Sequence, residues 1–587
     1  MRRLTWSGCA ARAGCARSEP RRAIAMILPR RAAFFGLVLL TAAVLFWLLL
    51  GVLAPGGWGV AKLALLVCFA PVALWFGICV GNAVPGFLLL LCASDPPRAV
   101  LPVAGDIETA PIHSHTALLV TVRHEDMAAV LPPLGRLLAG LADTGAGAWF
   151  TPWILSDSTD PLLAEAEAAA VAAFPGTLRY RRRTDNSGFK AGNVMEFLDH
   201  HAEGLEFAVM LDADSEMSAE AVLRLVRIMQ AAPRMGLVQH LVVGRPTEAA
   251  FPRLFQFGMR AGMRVWATGQ AWWQGDEGPY WGHNAILRIA PFRAHCRLAP
   301  LPDGSAILSH DQLEAALLRA AGWGVCVWAG EAGSQESNPP ALPEFLHRDT
   351  RWLAGNLQYR HLIARPGLRP LGRWQLAQAM LMFAVAPALT AMLPLAALLA
   401  ATGTQAPPDR LLALLLAAAL AVHSPKLLGY AEVLLSARRA ARYGGRRRFA
   451  LGAAVEILFT TLLDPITALH RALAIARHML GGKSGWAAQN RGPRGVGWGE
   501  ALGLFWPHTL FGLAVFTLFA GASWNAVLWA LPFAGGLLLA VPLAVASSSQ
   551  CLAAALQSHH LIQIPEETTP VLGAAAAPPR ACPSPMQ

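Results

Sequence analysis

Charge is scarce in this chain. Only 14% of its 587 residues are Asp, Glu, Lys or Arg, against roughly 25% in soluble domains. Apolar residues make up 55%. So little charge excludes a wholly solvated protein and requires membrane segments. Paired cysteines are also missing. The nine cysteines are scattered and form no CxxC, so neither a zinc site nor a disulfide framework is indicated. No GxGxxG follows a strand-like run. "GGKSG" at 481–485 resembles the end of a P-loop, but Arg477 stands where the first glycine is required. Dinucleotide and ATP-loop chemistry therefore have no sequence support. Acids are outnumbered, 37 to 48, giving a net charge of +11. The excess lies beside apolar runs. That marks membrane flanks rather than a nucleic-acid surface, and no nucleic-acid partner is expected.

What is present divides the chain. Residues 1–32 are basic, with Arg2, Arg3, Arg21, Arg22, Arg30 and Arg31. The apolar run that follows lacks a signal-cleavage pattern and reads as a retained membrane helix; Met26 is a second candidate start. Residues 33–92 supply two spans, 33–54 and 63–92. At 1.5 Å per residue each crosses a core of about 30 Å. Residues 94–373 regain charge and alternate strand-like with helical runs, the texture of one α/β domain on a parallel sheet. Two spans follow in 374–436, then a basic loop and an ambiguous apolar segment in 437–501, then two spans in 502–547. The stretch 449–480 is either an interfacial helix or the lining of a polar path, in which Glu456 and Asp464 would take part. The tail 558–587 reads as disordered and cytoplasmic. Lys and Arg cluster in 1–32, 360–373, 437–448 and 483–494. The positive-inside rule then places the N-terminus and the α/β domain in the cytoplasm.

Inside that domain three strand-like runs end in acids. "LLVTVRHED" (118–126) offers Glu125 or Asp126, "WILSDSTD" (153–160) offers Asp157, and "VMLDADSEM" (209–217) offers Asp212 and Asp214. Ligands of open α/β sheets bind beyond the carboxyl ends of the strands. Asp212 and Asp214 point the same way in an extended segment, and a hard cation such as Mg²⁺ neutralises such a pair. A solvated turn is the ordinary reading of a bare D-x-D. Glu216 reads as a solvated or helix-start acid. "TDNSGFKAGN" (184–193) puts Lys190 and Asn193 in a loop before a helix, a place suited to phosphate. In "ILSHDQLEAALLRAAGW" (307–323), Asp311 is either a general base or part of a helix start capped by Ser309 and Gln312. In "RDTRWLAGN" (348–356), Arg351 and Trp352 suit phosphate and a sugar face; an interfacial Arg-Trp pair is the alternative.

In order, "HED", "LSDSTD", "KAGN", "MLDADS", "YWGHNAILR" (280–288), "LSHD" and "RDTRWLAGN" resemble a processive family-2 glycosyltransferase. The pattern is most similar to the glucans biosynthesis glucosyltransferase H family. Arg348 stands where cellulose-type synthases carry the Gln of QxxRW, and Ser-His-Asp replaces their Thr-Glu-Asp. The N-terminal region is shorter than in many members. The resemblance implies a polytopic α-helical membrane protein with an inserted cytoplasmic, Rossmann-like GT-A domain, in a bacterial inner membrane. It implies UDP-glucose as donor, Mg²⁺ or Mn²⁺, a growing β-1,2-glucan as acceptor, and a periplasmic glucan-biosynthesis protein as partner. By the same resemblance Glu125 and Asp157 contact the uridine end and Lys190 the diphosphate. Asp212 and Asp214 bind ribose, diphosphate and metal, and Asp311 is the base. Arg351 and Trp352 hold diphosphate and acceptor, and Gly282, His283 and Asn284 line the acceptor side. Two rivals stay open: a synthase of another linkage, and a membrane transporter or scaffold that binds sugar nucleotide without turnover.

Overall fold

The computed structural model describes residues 10–404, 406–482, 492 and 494–568, with side chains from residue 27 onward. Arg2 and Arg3, the side chains of Arg21, Arg22 and Met26, most of the basic segment 483–494 and the tail beyond 568 lie outside the described residues.

The short apolar runs TALLVTV and FAVMLD become strands, and so do short polar ones such as RYRR and SQE. In chain order they are β1 (Thr116–Val122), β2 (Phe150–Ser156), β3 (Arg179–Arg182), β4 (Phe207–Asp212), β5 (Glu216–Met217), β6 (Met235–His240), β7 (Val243–Gly244), β8 (Ala285–Arg288), β9 (Gly324–Trp328) and β10 (Ser334–Glu336). Seven form one sheet in the order β3-β2-β1-β4-β8-β6-β9, and β5-β10-β7 form a small second one. Side chains alternate along each strand, so β1 feeds two cores. Leu118, Val120 and Val122 pack under the helices Met127–Asp143 and Ala219–Ala231. Ala117 and Leu119 pack under Phe189–His200 and Asp311–Ala320. Asp126, Asp160 and Ser218 cap their helices by accepting backbone N–H groups, as short polar side chains do.

The sheet departs from the all-parallel expectation. β3, β2, β1 and β4 run parallel, but β8 is antiparallel to both β4 and β6. The reason is positional. Ala285 pairs with Met210 and Arg288 with Phe207, so β8 starts at the edge where β4 ends and retreats from it. The loop before β8 is thereby delivered to that edge.

Among the described residues, five helices are long and apolar enough to cross a membrane: Ile27–Leu53, Val60–Cys92, Pro370–Ala401, Arg446–Met479 and Trp498–Ala522. Two bent pairs, Pro408–Val422 with Ser424–Leu435 and Trp524–Leu538 with Ala540–Ser547, bring the total to as many as seven. The first helix begins earlier than expected, its backbone running from Ala10 to Leu53. The Ala250–Gln274 helix of the α/β domain docks directly on this bundle. A Cβ on Gly269 would lie 1.9 Å from Asn82 O, and one on Gly86 would lie 2.0 Å from Val265 O. Small residues let the two backbones meet, and Trp273 Nε1 donates to Asn82 Oδ1 at 2.9 Å.

The ambiguous 449–480 stretch is one continuous helix, Arg446–Met479, lying along the α/β domain. Phe449 packs on Phe257, Phe459 on Phe251, and Arg471 pairs with Asp349. Glu456 does not line an open path. It is buried, with Lys426 at 2.6 Å, the Tyr430 hydroxyl and Thr460 as partners, and it fills the space a side chain at Gly258 would need. Asp464 remains half exposed beside His423, 3.7 Å away. The start of the supposedly disordered tail is ordered. Glu566 and Glu567 are drawn into ion pairs with Arg260 and Arg253, at 2.7 and 2.9 Å.

Candidate active site

The parallel register puts three strand ends side by side. Val122 pairs with Ser156, and Thr121 with Asp212. Beyond β1 the chain turns at His124, at φ 56, whose N–H donates to Ser158 Oγ at 2.7 Å. This joins the turns carrying Glu125 and Asp157. Asp126 is spent as a helix cap, and Glu125 beside it is half-buried. Beyond β2, Asp157 is buried and held by Arg183 at 2.6 and 2.7 Å. Arg183 also donates to Ser187 O and Phe189 O. The carboxylate of Asp157 therefore braces the loop that carries Lys190.

That loop is shorter than expected. The helix begins at Phe189, just after Gly188 at φ 70, so Lys190 and Asn193 lie in its first turns. A Cβ on Gly192 would lie 2.1 Å from Ser187 O, and this contact closes the helix start early. Lys190 pairs with Asp212 and donates to Gly282 O at 2.8 Å. Asn193 faces inward instead, buried against Arg181 and Leu155 O.

Asp212 ends β4 and accepts from Thr121 Oγ1 at 3.3 Å. Its N–H donates to Ser215 Oγ at 3.0 Å, closing a tight turn around Asp214. Glu216 is not solvated. It is buried on β5 between Arg136 and Arg245, at 2.5 and 3.3 Å, so its role is to anchor the turn.

The loop delivered by β8 comes next. Gly282 is at φ 90 and Asn284 at φ 48. Gln239 holds this loop by donating to His283 O at 2.9 Å and accepting from Trp281 N–H at 2.7 Å. Asn284 is buried and donates to Ser334 Oγ at 2.9 Å. His283 faces Glu336 at 3.3 Å. A Cβ on Gly282 would lie 2.6 Å from Asp311 Oδ1. Gly282 thus touches Lys190 through its carbonyl and leaves room for Asp311 at its Cα.

Asp311 opens its helix as a first-turn acid, as the helix-start reading expects, but Ser309 does not cap it: His310 is the cap residue and makes no side-chain cap bond. His310 Nδ1 lies 3.1 Å from Asp311 Oδ1 and 2.9 Å from Glu314 Oε2. Burial disfavours the imidazolium, but Asp311 and Glu314 outweigh it and lift His310 to about 9. Burial pushes the Glu314 carboxyl up, against the pull of His310. Among the described residues, His310, Asp311 and Glu314 are grouped closely enough for one ion to bridge them; the imidazolium fills that bridging role. His310 and Glu314 were missed in the sequence, although their i, i+4 spacing places them on one helix face.

The Leu342–Leu357 helix closes the other side. Gly355 lies against Ser309, where a Cβ would sit 2.2 Å from Ser309 Oγ. Gln358 brackets the preceding loop through Ala306 O and Leu308 N–H. This fixes the helix of Arg351 and Trp352 to the segment bearing Asp311. Trp352 is 48% exposed, and the Arg348 guanidinium stands 4.7 Å from its ring.

Glu336, on β10, gave no periodic signal and was missed. Burial raises its carboxyl, His283 and Arg348 oppose that, and Asp214 and Asp212 add to it. Asp212 and Asp214 thus lie near enough to act on the charge of Glu336, while Asp212 is itself paired with Lys190. An all-oxygen donor set of this kind fits a hard divalent cation.

The domain can therefore hold an anionic, cation-bound group at the strand ends and place a carboxylate base beside it. The family model "Glycosyl transferase family group 2" matches residues 207–424. A glucans biosynthesis glucosyltransferase H from Caulobacter vibrioides is 33% identical over 90% of this chain and 84% of its own length. Another from Xanthomonas campestris is 32% identical over 92% of this chain and 88% of its own. A Pyrobaculum calidifontis mannosyltransferase, solved with GDP-Man and Mn²⁺, aligns at TM-score 0.40 and 15% identity over 70% of this chain and 100% of its own. The chain belongs to the glucans biosynthesis glucosyltransferase H family, membrane-associated hexosyltransferases with a family-2 glycosyltransferase domain.

Proposed function

We propose that the chain transfers glucose from UDP-glucose to build a linear β-1,2-glucan backbone by a single inverting displacement. The observation that carries this reading is the meeting of Lys190, Asp212 and Asp311 on Gly282. It sets a diphosphate-binding cation and a base at one small loop.

Asp311 takes the proton of an acceptor hydroxyl. The hydroxyl oxygen forms its bond to the anomeric carbon as the bond to the diphosphate oxygen breaks, and UDP leaves with that electron pair. General base catalysis supplies about 10²–10⁴-fold. Lys190 and Arg351 stabilise the leaving negative charge where it develops. Asp212 and Asp214 would hold Mg²⁺ or Mn²⁺, which supplies Lewis-acid stabilisation of the diphosphate when bound. The turns of Glu125 and Asp157 flank the uridine. Trp352, Gly282 and His283 face the acceptor, and Asn284, expected there from the sequence, is buried and instead holds the loop of Gly282 and His283 through Ser334. The basic flanks favour a cytoplasmic domain at a bacterial inner membrane, with the product passed outward to a periplasmic glucan-biosynthesis partner.

Membranes containing the chain are incubated with labelled UDP-glucose and Mg²⁺, and product linkages are determined. β-1,2 product that depends on Asp311 supports the reading. Another linkage overturns the glucan assignment, and donor binding without Asp311-dependent transfer overturns the enzyme.

A further inference from the structure

A second charged site lies away from the catalytic loop, where the α/β domain meets the membrane helices. A cavity of about 450 Å³ is lined by Arg264, Ser436, Arg438, Arg439 and Arg442. Arg264 comes from the docking helix Ala250–Gln274; the others follow the bent-pair helix Ser424–Leu435. Nearby acids do not balance this charge. Glu331 is shared by Arg260, Arg264 and Arg442. Glu432 is shared by Arg264 and Arg439, and Glu566 serves Arg260. Five guanidiniums, counting Arg438, thus face three carboxylates. Arg438 is exposed and makes no ion pair among the described residues. Burial holds Arg439 below its ordinary pKa; the neighbouring Arg264 and Arg442 add to this and Glu331 opposes it. An anion would relieve that crowding.

The position of the cavity says which anion. Arg439 Nη2 donates to Leu90 O at 3.2 Å, near the end of the Val60–Cys92 span. Two apolar helices therefore end together at this pocket. Leu91 and Leu435, next in sequence to Leu90 and Ser436, are 43% and 63% exposed. Arginines at helix ends that also carry exposed leucines match a phosphate headgroup and its acyl chains.

We propose that this pocket binds the phosphate headgroup of an anionic phospholipid, clamping the α/β domain to the bilayer through Arg264 and the 436–442 segment. The site is separate from the catalytic residues, so the proposal stands whichever sugar is transferred.

The test uses the full chain purified in a neutral detergent. It is titrated separately with phosphatidylglycerol, phosphatidylcholine and inorganic phosphate while thermal unfolding is followed. Phosphatidylglycerol alone is expected to raise the midpoint. Arg438→Glu should weaken that effect by at least about fivefold while leaving the lipid-free midpoint unchanged. Arg438→Gln, which adds no charge, is the companion should the reversal impair folding. Equal protection by phosphatidylcholine overturns the proposal. Equal protection by inorganic phosphate overturns the lipid as ligand. Undiminished phosphatidylglycerol binding in both variants overturns the pocket.

Discussion

Arg471, on the Arg446–Met479 helix, grips Asp349 with two nitrogens at 2.7 and 2.6 Å. One residue away, Thr350 meets His470 Nε2 at 3.2 Å. Asp349 lies between Arg348 and Arg351 in sequence, so this grip fixes the roll of the helix that presents both arginines. Asp349 is buried, and Arg471→Ala would strand its charge. Removing one partner of a buried pair costs about 3–5 kcal/mol. The expected result is a lower unfolding midpoint in detergent. The double variant Asp349→Leu/Arg471→Met should recover most of the loss, because no unpaired charge remains. A double-mutant cycle of unfolding midpoints checks this.

Asp311→Asn keeps the shape and removes the proposed base. Turnover should fall about 10²–10⁴-fold, with binding of UDP-glucose nearly unchanged. Parallel measurement of turnover and nucleotide binding separates this from misfolding.

The His310 bridge predicts a pH dependence. The imidazole titrates at about 9 in the folded chain, above its ordinary value of about 6.5. Its contribution is complete below about pH 6.5 and is lost as pH rises through about 9. At most about 3 kcal/mol is at stake, and the opposing rise of Glu314 reduces it. Relative to His310→Gln, the native chain should have its largest stability advantage near pH 6 and lose it by pH 10. Unfolding midpoints across that range decide it.

Gly282→Ala tests the crowding at the loop. Gly282 has φ 90, and the added Cβ would meet Asp311 Oδ1 at 2.6 Å. A base displaced by about 1 Å costs about 10²-fold in rate. Steady-state kinetics should show a fall in kcat that far exceeds any change in KM for the donor.

Local patterns announced the parts of the fold that local physics governs. "TALLVTV" is β1 to the residue, and "SAEAVLRLVRIMQAA" contains the Ala219–Ala231 helix. The alignment of three acid-tipped strands was legible because parallel strands end at one edge. The direction of β8 was not, since four residues carry no record of which end pairs with Met210. Glu216 looked like a surface acid because Arg136 and Arg245, distant in sequence, are what bury it. Glu336 was hidden for a similar reason: β10 is three residues long, and its neighbours come from β5 and β7. Long-range partners set these environments, and no window of sequence contains them.

Lys190 is already committed to Asp212 and to the Gly282 carbonyl. A diphosphate that takes the third N–H of this ammonium is tied by it to the peptide beside Asp311. On the proposed mechanism the loop next to Asp311 is thereby coupled to the nucleotide before any acceptor is in place. The kinetic expression of this geometry is compulsory order, donor first. UDP should inhibit competitively against UDP-glucose and noncompetitively against the acceptor, and Lys190→Met should loosen that order along with donor affinity. One backbone carbonyl would then act as the timing element of chain growth.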